Sequence, residues 1–139
     1  NMTRAEIYEL ENQLIFLLNM SGWHIQWSEE KYCRYDAIGT DLNGQSCVLE
    51  FKFRRKFYKT KILETKKYNA LLDQQTEQKY YCVVDQKGCH IYEFKSIDRN
   101  NLIELNLPKE TITQNIEKES RWVYELKHAP KYFYAFEFF

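Results

Sequence analysis

The sequence predicts an α/β (α+β) domain with elements in the order α-β-β-β-α-β-β, a central mixed sheet flanked by helices, and an aromatic-rich C-terminal extension. Three observations predict it. A helical apolar stripe opens the chain, strand-like alternation follows it through a hairpin, and a second helical stripe separates that hairpin from two further strands. Size and composition agree. With 139 residues, 44% hydrophobic and 17% aromatic, and only four glycines and two prolines, the chain can build a sizeable core.

Thr3 and Glu6 form a T-x-x-E capping box, and Ile7, Leu10, Leu14, Leu17 and Leu18 recur at helical spacing, which predicts a first helix over 3–20. Ser21-Gly22 ends it. Residues 23–27 alternate as a strand with Trp23, Ile25 and Trp27 on one face. Strands over 35–40 and 47–53 flank the turn Asp41-Leu42-Asn43-Gly44-Gln45 and form a β-hairpin. Ile62, Leu63, Tyr68, Leu71 and Leu72 predict a second helix over 61–75. A buried strand over 80–84, the turn Asp85-Gln86-Lys87-Gly88 and a strand over 89–94 complete a core assigned to 3–95. The extension, 96–139, belongs to the same single domain. It is polar and weakly patterned over 96–118, with a short helix expected after Pro108. Its tail, RWVYELKHAPKYFYAFEFF, alternates as two strands broken at Ala129-Pro130. That tail is expected either to cover the domain's own sheet or to form a homodimer interface.

Several classes fall away. No apolar run reaches the ~20 residues of a membrane-spanning helix, and no secretory signal pattern opens the chain, so a soluble, cytoplasmic protein with no membrane partner is expected. Asn1 ahead of Met2 is expected to be a remnant of expression. Cys33, Cys47, Cys82 and Cys89 form no CxxC pair and read as reduced, buried thiols. Cys82, Cys89 and His90 lack the spacing of a zinc finger. His24, His90 and His128 show no nucleophilic triad pattern, and no phosphate-cradling glycine loop exists, which argues against an ATP-driven enzyme.

Charge is unevenly placed. Twenty basic and twenty acidic residues cancel, yet 52–67 (KFRRKFYKTKILETKK) holds eight Lys or Arg against Glu64 alone. That window carries +7 and the remainder −7, which suggests an anion-binding face on an acidic body. The plainer reading is a solvated loop and helix start.

The chemistry centres on the hairpin. Strand alternation puts Glu50 and Lys52 on one face of Val48-Leu49-Glu50-Phe51-Lys52-Phe53. With a three-residue loop, Leu42-Asn43-Gly44, Asp36 lies across from Glu50 on that face. A two-residue Asn-Gly loop would turn it away. Gly44 suits the left-handed position of the longer loop. Two facing carboxylates repel unless a cation sits between them, and hard oxygen ligands suit Mg²⁺ or Mn²⁺. Glu11 falls on the apolar stripe of the first helix, a costly place for an unpaired acid. It either joins the site or snorkels to solvent from the margin, with Glu9 and Glu6 as fallbacks.

These residues resemble the PD-(D/E)xK nuclease superfamily, the restriction-endonuclease-like fold: Asp36, then Glu50-Phe51-Lys52 as the ExK element, an acidic first helix, and a following helix with basic and aromatic residues. The first helix, from Glu11 through Leu14 and Leu18 to Gly22-Trp23, is similar to that of archaeal Holliday-junction resolvases. The stretch Lys67-Tyr68-Asn69-Ala70-Leu71-Leu72 is similar to small phage or mobile-element nucleases. The resemblance covers about 3–94. Tyr35 replaces the family's proline, and Glu64 with Tyr68 only approximates the QxxxY pattern of the RecB-like branch.

The resemblance implies metal-dependent phosphodiester hydrolysis in DNA, RNA being the second option, with endonuclease action favoured. Asp36, Glu50 and the Phe51 carbonyl would hold Mg²⁺ (or Mn²⁺), and Glu11 a second ion or its water. Lys52 would orient water or stabilise phosphate charge, and Lys67 would contact a phosphate. Arg54, Arg55, Lys56, Lys59, Lys61 and Lys66 would grip the backbone, while Phe57 and Tyr58 either stack on bases or pack at the loop base. The rival readings are a catalytically silent nucleic-acid- or protein-binding module on the same fold and a protein acting through its aromatic tail.

Overall fold

The computed structural model describes residues 2–28, 34–108 and 118–139. Helix α1 (Arg4–Met20) is capped by Thr3, whose Oγ1 accepts from the Glu6 N–H at 3.1 Å. It is followed by β1 (His24–Trp27), β2 (Ala37–Thr40), β3 (Ser46–Phe53), β4 (Lys61–Glu64), α2 (Thr65–Leu72), β5 (Gln78–Asp85), β6 (Gly88–Glu93), a 3₁₀ turn (Phe94–Ser96), β7 (Leu102–Pro108), β8 (Lys118–Leu126) and β9 (Tyr132–Tyr134). A six-stranded mixed sheet runs β1-β2-β3-β5-β6-β9, parallel only between β3 and β5, and a second sheet runs β4-β8-β7. The expected α/β architecture is therefore present, with a second small sheet added to it.

The central strands are buried on both faces, so alternation divides their side chains between two cores. Tyr80, Cys82 and Val84 of β5 face α1 with Leu14, Leu18, Trp23, Leu49 and Ile91, whereas Tyr81 and Val83 face Leu63, Tyr68, Tyr92 and Tyr124. Leu14 and Leu18 are fully buried, each contributing about 2 kcal/mol of apolar burial. Gly39 explains how β1 approaches β2: a Cβ there would lie 2.0 Å from the His24 carbonyl oxygen.

Three expectations change. Residues 61–64 open the predicted second helix in the sequence, but in the structure they are strand β4, paired with β8 from Lys61↔Leu126 to Glu64↔Val123. A four-residue apolar pattern fits a strand or a helix turn, and the distant β8 decides between them. Helix α2 is accordingly only eight residues long. The stretch read as weakly patterned contains β7, paired with β8 from Leu102↔Tyr124 to Pro108↔Lys118. The helix expected after Pro108 falls outside the described residues, as does Cys33, while Cys47, Cys82 and Cys89 are free and buried.

The aromatic tail forms two strands interrupted around Ala129-Pro130. β9 pairs with the β6 edge, and the Trp23 indole N–H donates to the Tyr134 hydroxyl at 3.0 Å. Tyr132, Tyr134, Phe136 and Phe138 pack against the α1-side core.

Candidate active site

The hairpin has the register that faces Asp36 with Glu50. Ala37 pairs with Leu49 and Ile38 with Val48, and the loop closes with Asp41 N–H to the Gln45 carbonyl at 2.9 Å. Gly44 sits at φ +75°, the left-handed position that a three-residue loop requires. The Asp36 N–H donates to the Leu49 carbonyl at 2.9 Å, which carries the ladder one residue past β2. Beyond that point, among the described residues, no strand pairs with β3 on this side. The Asp36 carboxylate fills the gap, its Oδ2 accepting from the Phe51 N–H at 2.7 Å. Backbone groups of a strand alternate between neighbours, so the Phe51 carbonyl faces the same open side.

Glu50 is 5% exposed, and its Oε1 lies 3.0 Å from Nζ of Lys67, which α2 supplies. Glu11 approaches from α1 and comes within hydrogen-bonding reach of Asp36, where β2 gives out. Burial, then the Asp36 charge and hydrogen bond, push the Glu11 carboxyl up to about 8. Burial and the Asp36 charge likewise raise Glu50 to about 8, against the opposing pull of Lys67. Lys52 is lowered to about 8 by burial and the nearby Arg54. The structure thus brings together Glu11, Asp36, Glu50, Lys52 and Lys67. Glu6, the fallback acid, pairs instead with Arg55 at 2.8 Å.

Among the described residues no three His, Cys, Asp or Glu side chains are gathered closely enough to hold a metal ion. Asp36, Glu50 and the Phe51 carbonyl remain, a two-carboxylate set with a backbone oxygen. Magnesium accepts such sets because it keeps several of its waters. Glu11 and Glu50, pushed up by burial and then by the Asp36 charge, also fit a site that a cation would relieve.

A recess of about 50 Å³ adjoins Glu50 and Lys52 and is lined also by Arg54, Glu64 and Lys67. It has room for one or two waters. Glu64 is held by Arg121 of β8 at 2.9 Å. Sequence reasoning missed Arg121, and no local signal marks it, because only the β4–β8 pairing carries it there. The buried Tyr68 packs tilted between the rings of Phe94 and Tyr124, at 4.6 and 4.5 Å, and so belongs to the core.

The basic segment divides. Arg55, Lys56, Lys59 and Lys66 are exposed and Arg54 half-buried. Lys61 is not on an open loop: it is 4% exposed, with Nζ 3.4 Å from Asp85 Oδ2. Strand β4 turns it inward, which takes its ammonium out of reach of a nucleic-acid backbone.

No family model matches the sequence, and no curated protein matches it. Among solved structures the chain is similar to Hjc, a Holliday junction resolvase from Archaeoglobus fulgidus, an archaeal hyperthermophile, with a TM-score of 0.51 over 84% of this chain and 82% of that one. The chain has the restriction-endonuclease-like fold. At 12% identity the likeness is one of fold, and the similarity extends beyond the core assigned from sequence. No described helix is long and apolar enough to cross a membrane.

Proposed function

We propose that this protein is a divalent-metal-dependent nuclease that hydrolyses phosphodiester bonds in DNA, cutting internally. The observation that carries this reading is the convergence of Asp36 and Glu50 across the hairpin with Lys52 and Lys67 beside them, on a fold shared with a Holliday junction resolvase. Asp36, Glu50 and the Phe51 carbonyl would hold Mg²⁺ or Mn²⁺, with Glu11 adjoining as a ligand of a second ion or of bound water. The ion supplies Lewis-acid polarisation of the phosphate and a more acidic water. Lys52 orients the attacking water and offsets charge developing on the phosphate. Lys67 exchanges its Glu50 contact for a phosphate oxygen. Arg54, Arg55, Lys56, Lys59 and Lys66 bind the backbone by charge, which makes affinity salt-dependent. A homodimer through the tail would use the outer face of β9, where Phe133 is half exposed.

The second reading is a catalytically silent binding module on the same fold. The Lys67–Glu50 ion pair favours it, since an ammonium occupies part of the charge deficit that a metal would fill.

Cleavage of single-stranded, duplex, four-way-junction and closed circular DNA, with RNA alongside, separates the two readings in Mg²⁺ and in Mn²⁺. Nicking of the circle by the wild type, lost in Asp36→Ala and Lys52→Ala, is the expected result. Binding without cutting under every condition would leave the silent module.

A further inference from the structure

We infer that Tyr58, backed by Arg54, is a stacking platform for an unpaired base next to the candidate active site, so that the substrate carries a single-stranded or flipped-out nucleotide close to the bond that is cut. This rests on the nuclease reading for its location and adds to it the class of substrate. Tyr58 stands in the basic loop between β3 and β4. The residue is 52% exposed, so a face of its ring is open to solvent and to a ligand. The Arg54 guanidinium lies 5.8 Å from the ring centroid, and Arg54 also lines the recess beside Glu50 and Lys52. The ring is thus one residue contact away from the recess beside Glu50 and Lys52.

The backbone under Tyr58 is anchored by a buried polar group set. Its carbonyl accepts from Lys61 Nζ, whose ammonium is ion-paired to Asp85, and Asp85 in turn is bonded to His90 Nε2 at 3.1 Å. Lys61, Asp85 and His90 are 4%, 1% and 8% exposed. The neighbouring Phe57 ring is held between Lys61 and Lys87, whose Nζ atoms lie 4.0 and 3.9 Å from its centroid. Phe57 is therefore packing that fixes the loop, while Tyr58 is the ring left facing solvent. With its backbone anchored, the ring loses less freedom when a base settles on it, which favours binding. Stacking suits any base because each has a π-face, but a base inside a duplex is already stacked on its neighbours and cannot reach the ring.

The test titrates the whole chain, in EDTA so that nothing is cut, with a 2-aminopurine-labelled single strand and with the matching duplex. The wild type should quench the probe in the single strand and not in the duplex. Tyr58→Ser should abolish the quench and weaken single-strand binding by about 5- to 150-fold, the range spanned by loss of one base–aromatic stack. Duplex binding should be unchanged, and Tyr58→Phe should behave as the wild type. Equal losses on both DNAs, no loss on either, or a wild type that binds neither strand would each overturn the platform. Cutting in Mg²⁺ is read separately. Quenching without cutting sinks the nuclease reading and leaves the platform standing, whereas cutting that Tyr58→Ser leaves intact on every substrate, with no quench, sinks the platform alone.

Discussion

Phe51 donates its backbone N–H to the carboxylate of Asp36 at 2.7 Å, at the point where β2 stops and β3 continues. A side chain there takes the place of a strand, and this places Asp36 between Glu11 of the first helix and Glu50 of β3. Glu11 and Glu50, each acted on by the Asp36 charge, shape how the folded chain responds to pH.

Stability without metal is expected to pass through a minimum near pH 8. Glu11 and Glu50 are raised from 4.5 to about 8, so between those values the folded chain holds protons that the unfolded chain has released, and stability falls as pH rises. Lys52 is lowered from 10.5 to about 8, so above that the unfolded chain binds the extra proton and stability climbs again. Urea midpoints measured in EDTA across this range check it. A midpoint that rises steadily from acid to alkaline pH would show that the acids do not meet.

Magnesium should stabilise the chain more at alkaline than at acid pH. A cation competes with the protons on Glu50 and Glu11 and is bound more tightly once they have left. The shift in melting temperature on adding Mg²⁺ should therefore be larger at about pH 8.5 than at about pH 6, and should vanish in the double variant Asp36→Asn, Glu50→Gln. An equal shift in that variant would place the binding elsewhere.

Lys52→Ala should reduce cutting by at least about 10²-fold while leaving DNA affinity within a few-fold, because the group acts on charge that develops during reaction. Lys56→Ala and Lys59→Ala, on the exposed loop, should instead weaken binding and flatten its dependence on salt. Turnover rates and salt titrations of the same variants separate the two effects. A reversed pattern would exchange the roles assigned to strand and loop.

Gly39→Ala should cost about 3 kcal/mol or prevent folding, since its Cβ would meet the His24 carbonyl oxygen at 2.0 Å and the Ile25 Cα at 2.7 Å, both backbone atoms. Gly44→Ala meets nothing within 4 Å but retains a strained φ of +75°, so its cost should be nearer 1 kcal/mol. Urea denaturation of the two variants gives the comparison. If the order reverses, loop closure matters more than the approach of β1 to β2.

Local pattern carried much of the site. A capping box and apolar spacing defined α1, and with it the odd position of Glu11. The turn chemistry around Gly44 favoured the register that sets Asp36 across from Glu50 over the two-residue loop that would turn it away, and the Ala37↔Leu49 pairing decided between them. The Glu50–Phe51–Lys52 strand needed no partner to show which side chains share a face. What failed were segments whose state depends on distant chain. Lys61-Ile62-Leu63-Glu64 suited a helix until β8 paired with it, and Leu102-Ile103-Glu104-Leu105 showed little pattern until it paired with β8.

The sequence alone determined the first helix, the hairpin, and that Glu50 and Lys52 share a strand face, since these follow from turn residues and from periods of 3.6 and 2, and it narrowed the register to two choices. Only the tertiary structure decided that Lys61 turns inward to Asp85, that Arg121 reaches Glu64, and that β9 closes the β6 edge. Each of these depends on contacts across tens of residues, and such contacts form only because burying apolar area and pairing edge strands outweigh the entropy of closing long loops.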